Sequence, residues 1–259
     1  AQELFRLMEE NCTDEGGYLE AFSRDFRPVS NEKLSENGVM AQRTMNTLLH
    51  VFEEYAGLYQ AAKDKSVAAA MRRILDIYAA KVYNPKLHRQ EVFFDQDYRS
   101  LIDLTSYGHD IESSWLMDWG TALLEDETAR RAVFAIDSDL AENILRTALQ
   151  PEGCVVNECE RGNVDAHRIW WVQAEAVLGF VNAWEKHLER IEYRDAAVQV
   201  WRYIQAHLVD RRPGGEWFWR LDENNRPDRE KPIVEPWKCP YHNGRMCLEL
   251  IRRDPDVYV

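Results

Sequence analysis

Apolar residues recur at helical spacing over most of the chain, and short runs bounded by Gly and Pro interrupt them. Leu4, Phe5, Leu7 and Met8 predict an amphipathic helix over residues 1 to about 13, stopping near Asp14-Glu15-Gly16-Gly17. Tyr18 to Phe22 reads as a short strand that turns through Arg24-Asp25 and closes near Pro28, and residues 31–38 read as loop. From Val39 to about Gln60 the residues Met45, Leu48, Leu49, Phe52 and Tyr55 lie on one helical face. A second helix, from about Lys65 to Ala80, carries Val67, Met71, Ile74 and Tyr78 and ends before Asn84-Pro85. Glu91 to Phe94 with Tyr98 then predicts a hairpin.

The same order returns. Helices are predicted from about His109 to Glu125 and from about Glu127 to Leu149, followed by a turn at Gly153 and a strand over Cys154 to Glu158. Two more run from about Ala166 to Lys186 and from Arg194 to Val209. Pro213-Gly214-Gly215 leads into a strand at Glu216 to Arg220, Asn225-Arg226-Pro227 turns it back, and a final helix spans about Tyr241 to Arg252. Gly16-Gly17-Tyr18 answers to Gly214-Gly215-Glu216-Trp217, and Arg27-Pro28 to Arg226-Pro227. A recurring unit of two helices and a hairpin predicts an all-α solenoid or a closed α/α toroid, with hairpins gathered at one end as the mouth of a site. The helices would fill only about two-thirds of a six-pair ring. Ala1 also falls directly into a helical pattern with no capping residue ahead of it. The expectation is one catalytic domain over residues 1–259, truncated at its N-terminus.

Composition narrows the function more than the fold. A formal charge of −13 leaves no basic excess to meet phosphates, so nucleic acid and anionic membranes are not expected partners. The five cysteines (Cys12, Cys154, Cys159, Cys239, Cys247) form no CxxC pair and read as reduced thiols of a cytoplasmic protein. No signal peptide and no apolar run of membrane-spanning length is present. Nine Trp and eleven Tyr serve either a bulky core or a cleft whose rings stack on sugar faces.

Four places carry candidate chemistry. In Ser106-Tyr-Gly-His-Asp-Ile-Glu112, a loop is expected to end at Gly108 and a helix to begin at His109 and Asp110. His109 and Glu112 then share a helix face, where a carboxylate can fix the imidazole tautomer and raise its basicity. A buried structural His–Glu pair accounts for the same spacing. Asn46 and His50 lie four apart on an earlier helix, where a core His bonded to a carbonyl is the simpler reading. The run Arg168 to Glu175 opens another helix with Trp170, Trp171 and Glu175, and the two rings point in different directions, so one can be core and the other a sugar platform. The fourth place, Trp237 to Arg245, packs Trp237, His242 and Arg245 around a helix start that Pro240 helps define. Three His without the i, i+4 pairing of a zinc helix argue against a metal, and no elbow motif stands behind a Ser or Cys nucleophile. Glu112 and Glu175 could serve glycoside hydrolysis, but imidazoles are better suited to moving protons near neutral pH.

Several blocks in order give the chain a resemblance to the cellobiose 2-epimerases of the N-acylglucosamine 2-epimerase superfamily. They are Asn31-Glu-Lys-Leu-Ser-Glu-Asn-Gly38, Met45-Asn-Thr-Leu-Leu-His50, Ser106 to Glu112, Trp170-Trp-Val-Gln-Ala-Glu-Ala176, Gly214-Gly-Glu-Trp217 and Trp237-Lys-Cys-Pro-Tyr-His-Asn-Gly-Arg-Met246. The resemblance covers the C-terminal two-thirds of the family's chain. It implies an (α/α)6 barrel, incomplete here because the first helix pairs are missing, and inversion at C2 of the reducing-end sugar of a β-1,4-linked disaccharide. It further implies that His109 and His242 are the two acid/base groups and that the reaction passes through a cis-enediolate. Glu112 would hold and polarise His109, His50 would assist ring opening, and Asn46 would fix a hydroxyl. Trp171 and Trp237 would stack on the sugar, with Trp170, Glu175 and Arg245 as further substrate contacts. No metal or organic cofactor is implied, and the expected partner is a small disaccharide met by a monomeric protein. The absent N-terminal part carries an Arg and a Tyr of the family's site, so a fragment of this length is expected to be inactive or poorly folded alone.

Other functions share these residues. A monosaccharide 2-epimerase or an aldose–ketose isomerase would use the same His pair and enediolate, and a ketose product would reveal the isomerase. A non-catalytic carbohydrate-binding protein would bind sugar without exchanging the C2 proton, and a toroidal glycoside hydrolase would release free glucose.

Overall fold

The computed structural model describes residues 1–31 and 37–253. It is mostly helical, and the chain forms two compact units, residues 1–105 with 116–137 and residues 106–115 with 138–259. The inner part of the predicted loop at 31–38 lies outside the described residues. No helix among the described residues is long and apolar enough to cross a membrane.

The first unit opens with helix α1 (Gln2–Asn11) and the hairpin β1 (Thr13–Asp14) and β2 (Gly17–Tyr18). Strand β3 (Arg43–Thr44) precedes helix α2 (Met45–Ala62), so the helix predicted from Val39 begins six residues later. The reason lies in Arg43. Its buried guanidinium meets the Asp14 carboxylate at 2.6 Å, the Tyr18 carbonyl at 3.1 Å and the Gln96 carbonyl at 3.2 Å, which holds the backbone extended. Thr44 then caps α2, its hydroxyl accepting from the Thr47 N–H. Lys63 closes α2 in the left-handed region, and Asp64 caps helix α3 (Lys65–Ile77) by accepting from the Ser66 N–H. This tight connection sets α2 and α3 as an antiparallel pair. Their facing residues Leu48, Phe52, Val67, Met71 and Ile74 are buried.

A π-helical turn (Tyr78–Val82) ends α3, and the chain continues through β4 (Tyr83–Asn84), β5 (Arg89–Gln90), β6 (Phe93–Phe94) and β7 (Leu104–Ser106). Strand β6 pairs antiparallel with β3. Helix α4 (Tyr107–Ala122) and helix α5 (Glu127–Thr147) follow, and the division between the units falls within each of them.

In the second unit β8 (Glu158–Glu160) and β9 (Asn163–Asp165) form a hairpin, which the strand predicted at Cys154 to Glu158 meets only at Glu158, with Val155 making a bridge to Leu149. Arg161 and Gly162, both at positive φ, turn it as a type I′ hairpin. The helix expected from Ala166 begins instead at Trp170, since Arg168–Ile169 forms strand β10 against β11 (Arg220–Leu221). Helix α6 (Trp170–Lys186) is buried around most of its circumference and packs against α7 (Ile191–Tyr203) and α8 (Tyr241–Arg253), and α7 runs on into a π-helical turn (Ile204–Leu208).

The expected repeat is visible in its turns. Phe22 bridges Pro28, Phe94 bridges Ser100 and Leu221 bridges Pro227. Each loop holds a residue at positive φ (Phe26, Tyr98, Asn225) followed by an Arg. The side chain of Ser23, Asp95 or Asp222 accepts from that Arg's N–H. Three unlike sequences thus adopt one turn.

Candidate active site

The second unit brings three helix beginnings together. His109 lies in the first turn of α4, Trp171 in that of α6 and His242 in that of α8. Helix α4 starts at Tyr107, so Gly108 is inside the helix and does not end a loop. Its lack of a side chain is what matters: a Cβ there would collide with the Trp171 ring and the Val172 side chain. Further along, Gly179 of α6 receives Ile111 of α4 in the same way. Two glycines, one on each helix, therefore let α4 and α6 approach closely. Gly108→Ala is expected to lower stability by about 1–3 kcal/mol and to displace the Trp171 ring. Urea unfolding and Trp fluorescence would show it, and an unchanged midpoint would mean that the ring moves aside freely.

The Trp171 ring joins the two histidines. Its centroid is 4.8 Å from that of His109 and 5.4 Å from that of His242. His109 Nδ1 sits 2.7 Å from the hydroxyl of buried Ser106, at the end of β7. His242 Nδ1 lies 2.7 Å from Glu175 Oε1 and 3.7 Å from Glu112 Oε1. Arg245, one turn after His242, sets a single nitrogen, Nη2, 2.5 Å from Glu112 Oε1 and 2.8 Å from Glu175 Oε1. Trp115 Nε1 donates to Glu175 Oε2 at 2.9 Å, and the Arg245 guanidinium lies over the rings of Trp115 and Tyr241.

Both carboxylates are wholly buried. Burial by itself pushes the Glu175 carboxyl up, but the Arg245 charge and the hydrogen bond from His242 outweigh it and hold the group below the usual carboxylate range. Glu175 therefore stays ionised and accepts a proton-bearing Nδ1 from His242, which fixes that tautomer. Glu112, Glu175 and His242 also bring three possible ligand atoms within 4.8 Å of one another. Arg245 places one positive charge against the two carboxylates of this group.

Several expected contacts change place. Glu175, expected to touch substrate, has no exposed surface, and both its oxygens are occupied behind His242. Trp170, likewise a candidate contact, is buried against Trp219 with ring centroids 4.6 Å apart, whereas Trp171 is half-buried. Arg245 faces the two carboxylates, with its side chain only 12% exposed. Glu112, which the sequence pattern pairs with His109, also meets Arg245 and lies near His242. Trp237 stands 70% exposed on the tight turn at Glu235–Lys238. Asn46 and His50 belong to α2 of the first unit, where His50 Nδ1 lies 3.0 Å from Glu53 Oε2. Reading the sequence assigned no chemistry to Ser106 or Trp115. The Trp115 N–H finds its acceptor on another helix, 60 positions along the chain, where local pattern gives no signal.

Comparison with known proteins identifies the family of the chain. The family model for N-acylglucosamine 2-epimerase (GlcNAc 2-epimerase) matches residues 2–243. A cellobiose 2-epimerase of Eubacterium cellulosolvens is 47% identical over 273 aligned residues, covering 99% of this chain and 67% of the relative. A sugar epimerase structure from a ruminal bacterium superposes with a TM-score of 0.94 at 42% identity, covering 97% of this chain and 64% of that one. The cellobiose 2-epimerase structure from Bacillus thermoamylovorans gives 0.93 at 39% identity, with 98% and 65% covered. The chain thus spans about two-thirds of the length of these relatives. The chain belongs to the N-acylglucosamine 2-epimerase family.

Proposed function

We propose that the full-length protein is an epimerase that inverts C2 of the reducing-end sugar of a β-1,4-linked disaccharide, cellobiose and lactose being the model substrates. The helix pairs are read as part of an (α/α)6 barrel. The observation that carries the proposal is the pair of imidazoles, His109 and His242, on one indole ring. Relatives of high similarity are named cellobiose 2-epimerase, which supports the substrate class.

The chemistry follows from the requirement for inversion. Once the sugar ring opens, the C2 proton lies next to the C1 carbonyl and is acidic enough for a positioned base to remove. The electron pair moves to the carbonyl oxygen and leaves a planar cis-enediolate. Returning a proton to the same face restores the starting sugar, so inversion needs a second group on the opposite face. His242, with Nδ1 held by Glu175, works through Nε2, and His109 is the opposite partner. The half-buried Trp171 between them offers a flat apolar face to the sugar. Three helix N-termini add partial positive charge where the enediolate oxygen would develop. By resemblance, His50 and Asn46 act at the carbonyl end and on a hydroxyl, and Trp237 stacks on a ring.

The test is incubation of the full-length protein with cellobiose in deuterated water, followed by NMR. Deuterium at C2 together with a mannose-type reducing end is the expected result. A ketose product would replace epimerase by isomerase, and binding without exchange would point to a carbohydrate-binding protein.

A further inference from the structure

Two sequence blocks, Gly214-Gly-Glu-Trp217 and Trp237 to Arg245, contain charged and amide side chains for which the epimerisation chemistry has no use: Glu216, Lys238 and Asn243. The structure joins these three. Lys238 is 1% exposed. Its ammonium forms an ion pair with Glu216 Oε2, donates to the Ile233 carbonyl at 2.9 Å and lies over the Trp170 ring, 5.5 Å from its centroid. The other Glu216 oxygen accepts from Asn243 Nδ2, and Asn243 follows His242 directly in the first turn of α8.

Each end of this cluster is itself fixed. The Glu216 carbonyl accepts from the Asp210 N–H at 2.7 Å, and Gly215 beside it has no room for a Cβ against the Asp210 carbonyl. Trp170 donates its backbone N–H to the Trp219 carbonyl and packs edge-on to His242. Lys238 is also the last residue of the Glu235–Lys238 turn, closed by two backbone bonds of 3.0 Å, and Trp237 stands exposed at its tip. A lysine chain is long and flexible, and burying its charge is costly unless the charge is paired. A Lys immediately after an exposed Trp would ordinarily point to water. Here it points inward and ties the turn to the frame that also carries His242.

We propose that Lys238, through Glu216 and Asn243, is a positioning residue that holds the exposed Trp237 ring at a set place relative to His242, so that the sugar held by that ring presents its reducing end to the imidazole. The sugar part of this inference rests on the epimerase reading, and the placement of the ring does not. Without the clamp the turn keeps its backbone bonds but loses its inward tether, so the Trp237 ring is no longer held in one place.

The experiment uses full-length protein labelled with 5-fluorotryptophan, the Trp237 resonance being assigned with Trp237→Phe. In Lys238→Met the Trp237 signal is expected to move to the solvent-averaged position and sharpen, while those of Trp170 and Trp219 remain dispersed. In Glu216→Gln, a gentler change at a partly exposed site, the shift is in the same direction and smaller. With cellobiose, Lys238→Met is expected to raise KM about tenfold with kcat within about threefold, the signature of lost uniform binding. In a Trp237→Ala background the same substitution should change KM by less than about twofold, because the two residues act through one contact. An unmoved fluorine resonance in both variants, or KM effects that simply multiply, would overturn the proposal. A displaced resonance in Lys238→Met, with a parent protein that turns over no disaccharide, would leave the clamp standing and overturn the epimerase reading.

Discussion

Arg245→Met is expected to destabilise the protein by about 3–5 kcal/mol, because it leaves two wholly buried carboxylates facing each other without a cation. Epimerase activity should fall at least a hundredfold with it, since the same guanidinium nitrogen sets the electrostatic environment of His242. The pH dependence has a definite sign. Burial pushes the Glu175 carboxyl up, and Arg245 with His242 brings it below its ordinary value. In the parent this group therefore stabilises the fold at pH values above its unfolded pKa, and that contribution is lost as pH falls through the lower folded pKa. Removing Arg245 takes away the leading opposing charge, so burial dominates, the folded carboxyl binds its proton more tightly than the unfolded one, and the group then costs stability as pH rises. Urea unfolding across a pH series should show the stability deficit of Arg245→Met largest near neutral pH and narrowing as pH falls. Adding Glu112→Gln to it should restore a large part of the stability, because one of the two uncompensated charges is then gone. Equal stability of parent and Arg245→Met at neutral pH would mean that the carboxylates find another cation.

The second large effect is on chemistry and not on folding. His242→Ala and His109→Ala should each lower the rate of epimer formation by about 10²–10⁴, the range for loss of a positioned acid or base. The informative readout is stereochemical. Each variant retains one imidazole, which can still remove and return a proton on its own face. One variant should therefore exchange the C2 proton of cellobiose for deuterium without inverting it, and the other should do so only for the epimeric product. Both losing exchange from both sugars would indicate a single base with a mobile enediolate. Inversion persisting in either variant would remove that histidine from the reaction.

The glutamates show why the site was only half legible. The i, i+3 spacing of His109 and Glu112 suggested a partnership, and the structure directs Glu112 across to Arg245, 133 positions later. Spacing predicts neighbours on one helix, but where a buried carboxylate points is decided by the strongest cation within reach. Glu175 was expected to face the sugar and instead lies behind His242, since nothing in Trp-Val-Gln-Ala-Glu distinguishes an inward carboxylate from a cleft-facing one until α8 is placed against α6. Helix boundaries failed for a related reason. Val39 and Ala166 carry adequate helical patterns, yet tertiary pairing of Arg43–Thr44 with Phe93–Phe94 and of Arg168–Ile169 with Arg220–Leu221 claims the backbone first.

What the sequence determined by itself is what depends on neighbours along the chain. The helices and their order follow from periodicity, and the recurring turns follow from a short side chain followed four positions later by Arg. The chemical identity of the candidate groups, with histidines and tryptophans at helix starts, was also readable from local pattern. What only the tertiary structure decided is the partner of each charge: Arg245 between two glutamates, His242 against Glu175, and Lys238 turned inward to Glu216. The physical reason is that periodicity is a property of one helix, whereas the energy of a buried charge is set by whatever group of opposite sign the packing of other elements brings to it.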